Sequence, residues 1–352
     1  MSFVRLIGIS IFLTTTPALA AGLPAPAGQV NTQTEADQIA IGTDREDRMT
    51  VAVQVAGGGP YRFLVDTGSE RTVISRDLAH RLRLVDGRNV TVHSVIGSSG
   101  VRTVDIPSLM IGSRPFAVFG APALEASHIG ADGMLGVDSL RKQRVLFDFK
   151  SGTMSVMPAQ VRIEPIDRDV IVVRARSRRG RLIFTEARLN GQKVVIIVDT
   201  GSQVTIGNLT LQRKLQRKRL LTSSQPVTLH SVTGETMIAD MAMVDNVDVG
   251  GFQLKELPVA FADAYIFKQL DLAHKPTLLL GMNALRAFDQ VSIDFAARKV
   301  RFVLPGNELE RDGSKDAAGG AIGCAKQIRA EARSITLLAA RNNEPCWVRT
   351  TS

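Results

Sequence analysis

The sequence predicts a mainly β protein made of two homologous β-rich lobes related by a pseudo-two-fold axis, with short helices and a C-terminal helical tail. Three observations support this fold class. From Met49 onward, short apolar runs alternate with turns rich in Gly, Asn and Asp. Four short motifs occur twice in the same order. The chain has 352 residues, which is enough to give each of two lobes its own core.

The duplication is visible when the two halves are aligned. Four motif pairs lie 133 to 146 residues apart: Phe63–Ser69 with Ile196–Ser202, His93–Gly97 with His230–Gly234, Met134–Gly136 with Leu279–Gly281, and Phe147–Phe149 with Ile293–Phe295. The separation grows slowly along the chain, as small loop insertions would produce. We therefore predict an N-terminal lobe at residues 47–160 and a C-terminal lobe at 181–305, joined by a basic connector at 161–180.

The N-terminus has the pattern of a secretory signal peptide. Arg5 precedes the apolar stretch Leu6–Leu13, and Ala18-Leu19-Ala20 fits the small-x-small cleavage pattern. The apolar stretch is too short to span a bilayer. We expect residues 1–20 to be removed on export to the periplasm or outside the cell, without stable membrane insertion. Residues 21–46 have little periodicity and are interpreted as a linker or a short pro-segment.

The C-terminal tail, residues 306–352, begins with a loop rich in Gly, Asp and Ala. Ala325 to Arg341 then has the apolar stripe of an amphipathic helix. The two cysteines of the chain, Cys324 and Cys346, lie in this tail, and an oxidising compartment would allow them to form a local disulfide. Their spacing does not match a zinc site and nearby histidines are lacking. We therefore expect no metal and no cofactor.

The net charge of +9 raises the question of nucleic-acid binding. The basic residues concentrate in two runs, Arg174–Arg181 and Arg213–Arg219. We interpret the first run as a solvated inter-lobe connector and the second as the outer face of a short helix. Aromatic residues make up only 5% of the chain, so stacking on bases has little to work with. We expect no nucleic-acid partner, while attraction to acidic partners or to an anionic membrane surface stays a weaker alternative.

Both copies of Asp-Thr-Gly-Ser directly follow a run of apolar residues. A carboxylate at the end of a buried strand is costly to desolvate unless hydrogen bonds hold it. The glycine lets backbone N–H groups approach the carboxylate, and the hydroxyl groups supply further donors. We expect the serine hydroxyls to bond the outer carboxylate oxygens. The predicted supporting residues are Thr67, Gly68 and Ser69 in the first copy and Thr200, Gly201 and Ser202 in the second.

Asp66 and Asp199 occupy equivalent positions of the two lobes, so the pseudo-two-fold axis would bring them together. Two adjacent carboxyl groups do not both ionise easily, and one proton is then shared between them. The ionised partner can take a proton from a water molecule while the protonated partner polarises a carbonyl group. This arrangement is suited to the hydrolysis of peptide bonds.

These residues resemble the retropepsin-like and pepsin-like aspartic peptidases, and the chain is most similar to bacterial exported proteins with two retropepsin-type units in one chain. The resemblance covers roughly residues 47–305. The motifs that carry it are Asp66–Ser69 with Thr72-Val73-Ile74, Asp199–Ser202 with Thr205-Ile206, and the apolar-apolar-Gly segments ending at Gly136 and Gly281. The resemblance implies an acid-protease fold and short helices at Val137–Gln143 and Met282–Ala287. It makes Asp66 and Asp199 the catalytic pair, cross-braced by Thr67 and Thr200.

The resemblance also places substrate flaps at the two His-Ser-Val-x-Gly segments. Hairpin tips are expected at Ile96 to Gly100, with Ile96, Gly97 and Ser98 as flap residues, and at Thr233 to Glu235, with Thr233 and Gly234. The alternative is that both are ordinary surface hairpins, and neither has the aromatic residue typical of the pepsin flap. A monomer would bind an extended peptide between the lobes. A catalytically silent protein that binds peptides or envelope components is the rival interpretation.

Overall fold

The computed structural model describes residues 37–40, 42–43, 48–141, 143–159, 170–178, 181–221 and 223–305. The predicted signal peptide, the C-terminal tail with its helix, and the Cys324–Cys346 pair lie outside the described residues. The described part is mainly β with short helices, and it confirms the predicted fold class.

The N-terminal half begins with short strands that lead into a meander of longer ones. Its strands are β1 (Asp37–Ala40), β2 (Gly42–Thr43), β3 (Met49–Val55), β4 (Gly58–Val65), β5 (Val73–Ser75), β6 (Val85–His93), β7 (Ser98–Ile111), β8 (Arg114–Leu124), β9 (Gly133–Leu135), β10 (Gln143–Asp148) and β11 (Thr153–Pro158). Its helices are α1 (Arg76–Arg81), α2 (Ala126–Ile129) and α3 (Val137–Leu140).

The C-terminal half repeats this order of elements. Its strands are β12 (Val170–Arg174), β13 (Arg176–Arg178), β14 (Arg181–Leu189), β15 (Gln192–Val198), β16 (Thr205–Asn208), β17 (Gln225–His230), β18 (Thr236–Val249), β19 (Phe252–Ala262), β20 (Thr277–Leu280), β21 (Gln290–Asp294) and β22 (Lys299–Val303). Its helices are α4 (Leu209–Arg217), α5 (Tyr265–Gln269) and α6 (Met282–Leu285).

Two eight-stranded sheets have the same topology. The first has the order β2-β3-β4-β9-β5-β8-β7-β6, and the second has the order β13-β14-β15-β20-β16-β19-β18-β17. In both sheets the strand that precedes Asp-Thr-Gly-Ser pairs in parallel with the strand of the apolar-apolar-Gly motif, as β4 does with β9 and β15 with β20. The internal duplication seen in the sequence is thus a duplication of the sheet.

A third, six-stranded sheet joins the two halves. Its order is β1-β11-β10-β21-β22-β12, and strands β10 and β21 pair antiparallel in its centre, where Arg144 faces Asp294. The outer strands β1 and β12 come from segments predicted to be a linker and a connector. Those predictions are corrected for residues 37–40 and 170–174, because both segments pair with strands of this sheet.

The strands that lead to the two aspartates are buried at their ends. In β4 the first five residues are exposed or half-buried, whereas the last three, Phe63, Leu64 and Val65, are no more than 1% exposed. Such continuous burial indicates a strand covered on both faces. β15 ends in the same way with Ile196, Ile197 and Val198.

The helices that follow the apolar-apolar-Gly motifs are shorter than predicted. Helix α3 ends at Leu140 because strand β10 begins at Gln143, and α6 ends at Leu285 with single turns after it. Helix α4 carries the second basic run on its solvent side, as predicted: Arg213 and Arg217 are exposed while Leu211 and Leu215 are buried. None of the helices in the described residues is long and apolar enough to cross a membrane.

Candidate active site

The two Asp-Thr-Gly-Ser turns lie where β4 and β15 end. The backbone N–H of Asp66 donates to the Leu135 carbonyl, and that of Asp199 donates to the Leu280 carbonyl. The repeated apolar-apolar-Gly motif therefore fixes the start of each turn. The glycine of this motif is required by close packing, since a Cβ at Gly136 would lie 2.4 Å from the Arg71 carbonyl carbon.

The carboxyl groups of Asp66 and Asp199 lie close enough to each other to shift each other's pKa. Each carboxyl also accepts a bond from its own turn: Gly68 N–H donates to Asp66 Oδ1 at 2.7 Å, and Gly201 N–H donates to Asp199 Oδ1 at 2.9 Å. Asp199 is only 5% exposed. The structure thus brings together the two acids that the sequence predicts to meet, one from each lobe.

The two glycines lie against the carboxyl group of the opposite lobe. A Cβ built on Gly201 would be 2.3 Å from Asp66 Cγ, and one on Gly68 would be 2.5 Å from Asp199 Cγ. These distances leave no room for a side chain. The glycines therefore serve the contact between the lobes in addition to the turn that was predicted for them.

Thr67 and Thr200 form a crossed set of four hydrogen bonds beneath the carboxyl pair. The Thr67 N–H donates to Thr200 Oγ1 at 3.0 Å, and the Thr200 N–H donates to Thr67 Oγ1 at 3.1 Å. The hydroxyls then donate onward, Thr67 to the Val198 carbonyl at 3.1 Å and Thr200 to the Val65 carbonyl at 2.6 Å. This is the cross-bracing that the resemblance implies, with every bond passing between the lobes.

The serine hydroxyls were predicted to bond the carboxyl groups, but they bond backbone carbonyls instead. Ser69 Oγ donates to the Arg71 carbonyl at 2.8 Å, and Ser202 Oγ donates to the Val204 carbonyl at 2.7 Å. A hydroxyl two residues before a carbonyl closes a local turn readily. The serines therefore shape the exit of each turn, and the carboxyl oxygens take their bonds from the glycine N–H groups.

The two acids differ in how their protonation is shifted. Burial, followed by the negative charge of Asp66, raises the pKa of Asp199 well above its ordinary value. Burial also raises the pKa of Asp66, but hydrogen bonds from Asp199 and from the Gly68 N–H oppose this effect. Both pKa values are therefore raised, as is expected of two buried carboxyl groups that share one proton.

Two buried arginines near the pair were not recognised from the sequence. Arg181 is 8% exposed and its Nη1 lies 3.0 Å from Glu70 Oε1 of the other lobe, while Arg48 Nη2 donates to the Ile129 carbonyl at 2.6 Å. The positive charge of Arg181 lowers the pKa of both aspartates. The interpretation of Arg174–Arg181 as a solvated connector is therefore wrong for its last residue. The internal duplication could have indicated both arginines, because Arg48 and Arg181 each stand 18 residues before the aspartate of their own lobe.

Above the carboxyl pair lies a cleft of about 850 Å³. Its roof is formed by two hairpins, the first hairpin β6–β7 with its tip at Ser94–Gly97 and the second hairpin β17–β18 with its tip at Ser231–Glu235. Of the predicted flap residues, Ile96 lines the cleft. The lining formed by the described residues does not include Gly97, Ser98, Thr233 or Gly234, and Ser98 already belongs to β7.

Among the residues that the structure describes, no group of three or more His, Cys, Asp or Glu side chains is placed to hold a metal ion.

Replacing Thr200 with valine tests the cross-bracing. The change leaves the Val65 carbonyl and the Thr67 N–H without their buried partners, so we expect the free energy of unfolding to fall by about 1–3 kcal/mol. Urea denaturation followed by fluorescence measures the loss. Thr185→Val is the matched control, because Thr185 is exposed on β14. Equal stability of the Thr200 variant and the wild type would contradict the role of these bonds.

The comparison with protein families gives a match that agrees with this geometry. A family model described as aspartyl protease matches residues 49–139 and 185–284. Each matched segment contains one Asp-Thr-Gly-Ser turn, and together the two segments cover more than half of the chain. The comparison with curated proteins found no match.

Proposed function

This chain belongs to the aspartyl protease family, and we propose that it is an exported aspartic endopeptidase that hydrolyses peptide bonds with a water molecule activated between Asp66 and Asp199. One observation carries the proposal: the two carboxyl groups, one from each duplicated lobe, meet at the floor of the cleft, where each lies against the glycine of the opposite Asp-Thr-Gly-Ser turn. Two acids with one shared proton supply a base and an acid at the same position.

In the proposed reaction, Asp66 is the base and Asp199 is the acid. The Asp66 carboxylate takes a proton from a water molecule as the water oxygen attacks the scissile carbonyl carbon, and Asp199 donates its proton to the carbonyl oxygen. A tetrahedral diol results. The diol then returns a proton to Asp199, and Asp66 passes its proton to the amide nitrogen as the C–N bond breaks. Both aspartates end in their starting protonation states.

The shape and lining of the cleft support an extended peptide as the substrate. Apolar side chains line it from both lobes: Val73, Leu124 and Met134 from the first, and Val204, Ile206 and Leu229 from the second. Such a lining favours apolar side chains in the peptide, while the hairpins offer backbone groups for pairing. Because one chain supplies both acids, a monomer is sufficient for the reaction.

Export is proposed on the signal-peptide pattern of residues 1–20. Cell fractionation tests it. We expect the protein in the periplasmic or extracellular fraction with a new N-terminus after Ala20, and full-length protein in the cytoplasm would contradict export.

The pH profile of peptide cleavage tests the shared proton. Because the pKa of Asp199 is raised well above its ordinary value and that of Asp66 is also raised, the singly protonated pair exists at higher pH than for two ordinary aspartic acids. We expect a bell-shaped profile that rises as Asp66 ionises and falls as Asp199 loses its proton at higher pH. Incubation with a peptide library across pH, followed by mass spectrometry, measures it. Binding of peptides without cleavage at any pH would favour the catalytically silent alternative.

A further inference from the structure

The two hairpin tips cross over the cleft and pack on each other's lobes. Val95 and Ile96 of the first tip pack against an apolar cluster of the C-terminal lobe, and Val232 of the second tip packs against a cluster of the N-terminal lobe. The Ile266 N–H donates to the Val95 carbonyl at 3.4 Å, and the His93 ring stacks on Tyr265 with 5.6 Å between centroids. The cleft is therefore covered from both sides.

The side chain of Glu235 links the two tips directly. Its carboxylate accepts a hydrogen bond from Ser99 Oγ at 2.8 Å and one from Ser94 Oγ at 3.4 Å, both on the first hairpin. Thr233 of its own hairpin also donates to it. Burial raises the pKa of Glu235, but the hydrogen bonds from Thr233 and Ser99 lower it by more. The pKa of Glu235 therefore lies below its ordinary value. The carboxylate is thus held in its charged form, which makes these bonds stronger than bonds between neutral groups.

The duplication shows that this contact is asymmetric. When the two His-Ser-Val-x-Gly segments are aligned, Glu235 stands at the position of Ser98 in the first copy. One tip therefore supplies a carboxylate and the other supplies only hydroxyl donors. A glutamate in both copies would place two like charges at the crossing, which is unfavourable. The pairing of one acceptor with two donors is complementary.

We propose that Glu235 is a positioning residue that holds the two hairpin tips together through Ser99 and Ser94, and that a peptide enters the cleft when this hairpin clasp opens. The entry role rests on the proposed peptidase function, whereas the contact itself does not. The cleft lies between the carboxyl pair and the tips, so the central part of an extended peptide reaches Asp66 and Asp199 only after the tips separate. A carboxylate shared between hairpins then sets the population of the open state.

Hydrogen–deuterium exchange of the full chain tests the clasp without reference to catalysis. We expect backbone amides in residues 93–100 and 230–236 to exchange roughly tenfold faster in Glu235→Ala and in Ser99→Ala. The double variant should exchange no faster than the faster single variant, because both changes break the same contact. Glu235→Gln keeps an acceptor oxygen and should lie between the wild type and Glu235→Ala.

Ser98→Ala is the matched control, because Ser98 is the exposed neighbour of Ser99 and undergoes the same chemical change. We expect exchange at wild-type rates in this variant. Unchanged exchange in both the Glu235 and the Ser99 variants, or fully additive effects in the double variant, would overturn the clasp. Equal midpoints of thermal unfolding among the variants show that the fold is retained, so that a faster exchange reports on the tips.

The association and dissociation rates of a statine-type peptide mimic test the role in entry. If the clasp limits entry, both rates rise roughly tenfold in Glu235→Ala while the dissociation constant changes much less. Unchanged rates together with faster exchange would overturn the entry role. If the wild type neither cleaves peptides nor binds the mimic, the peptidase function and the entry role fail together, while the exchange result decides the contact separately.

Discussion

Replacement of Asp199 or Asp66 by asparagine is expected to lower the rate of peptide cleavage by at least about 10³-fold, because each variant removes the acid or the base of the pair. The folded structure should be retained, since asparagine has nearly the same shape and keeps the oxygen that accepts the glycine N–H. Turnover of a defined peptide and the circular dichroism spectrum measure the two expectations. Full turnover by either variant would remove the proposed mechanism.

The stability of Asp199→Asn provides a second measure on the same variant. The pKa of Asp199 is raised in the folded protein, so its ionisation costs stability as the pH rises through the folded-state value. Asparagine removes this cost, and we expect the variant to be at least as stable as the wild type at neutral pH. Asp248→Asn is the control, because Asp248 caps a distant turn through Gly251 N–H and should keep full activity.

Gly201→Ala is expected to lower cleavage by more than about 10²-fold, because the new Cβ would displace the Asp66 carboxyl group by a large fraction of an ångström or more. Gly68→Ala should act in the same way on Asp199. Overpacking of this kind also costs about 1–3 kcal/mol of stability. Turnover measurements and urea denaturation of each variant test both effects.

Gly191→Ala separates the displacement of the carboxyl group from a general loss of stability. Gly191 has φ of +75° and no other atom lies within 4 Å of a Cβ built there. Alanine at this position costs about 1–2 kcal/mol of backbone strain, and we expect wild-type turnover. Wild-type turnover by Gly201→Ala would contradict the close contact between the lobes.

The internal duplication made the two lobes and the meeting of the two aspartates predictable from the sequence. Repeats at slowly growing separations imply equivalent folds, and a two-fold arrangement of such folds brings equivalent residues together. The crossed threonines followed from the resemblance, and the structure shows the geometry through which they act. Features that follow from the repetition of the motifs were thus accessible from the sequence.

The six-stranded sheet was not predictable in the same way. Its outer strand β1 comes from a segment of low periodicity and β12 comes from the basic connector. Both strands are short, and they form because partners from distant parts of the chain are available. Arg181 was misinterpreted for a related reason: it ends a run that includes the exposed Arg174, Arg176 and Arg178, and its burial and its pairing with Glu70 of the other lobe are visible only in the structure. Contacts between distant parts of the chain decided these features.

The proposed mechanism requires that Asp66 and Asp199 titrate as one pair with a shared proton. Carboxyl-carbon NMR of aspartate-labelled protein measures this most directly, with Asp66→Asn as the comparison. We expect Asp199 to titrate well above the ordinary range of aspartic acid in the wild type, and its pKa to fall when the charge of Asp66 is removed. Titration of both carboxyl groups in the ordinary range, with no change of Asp199 in the variant, would contradict the proposed mechanism.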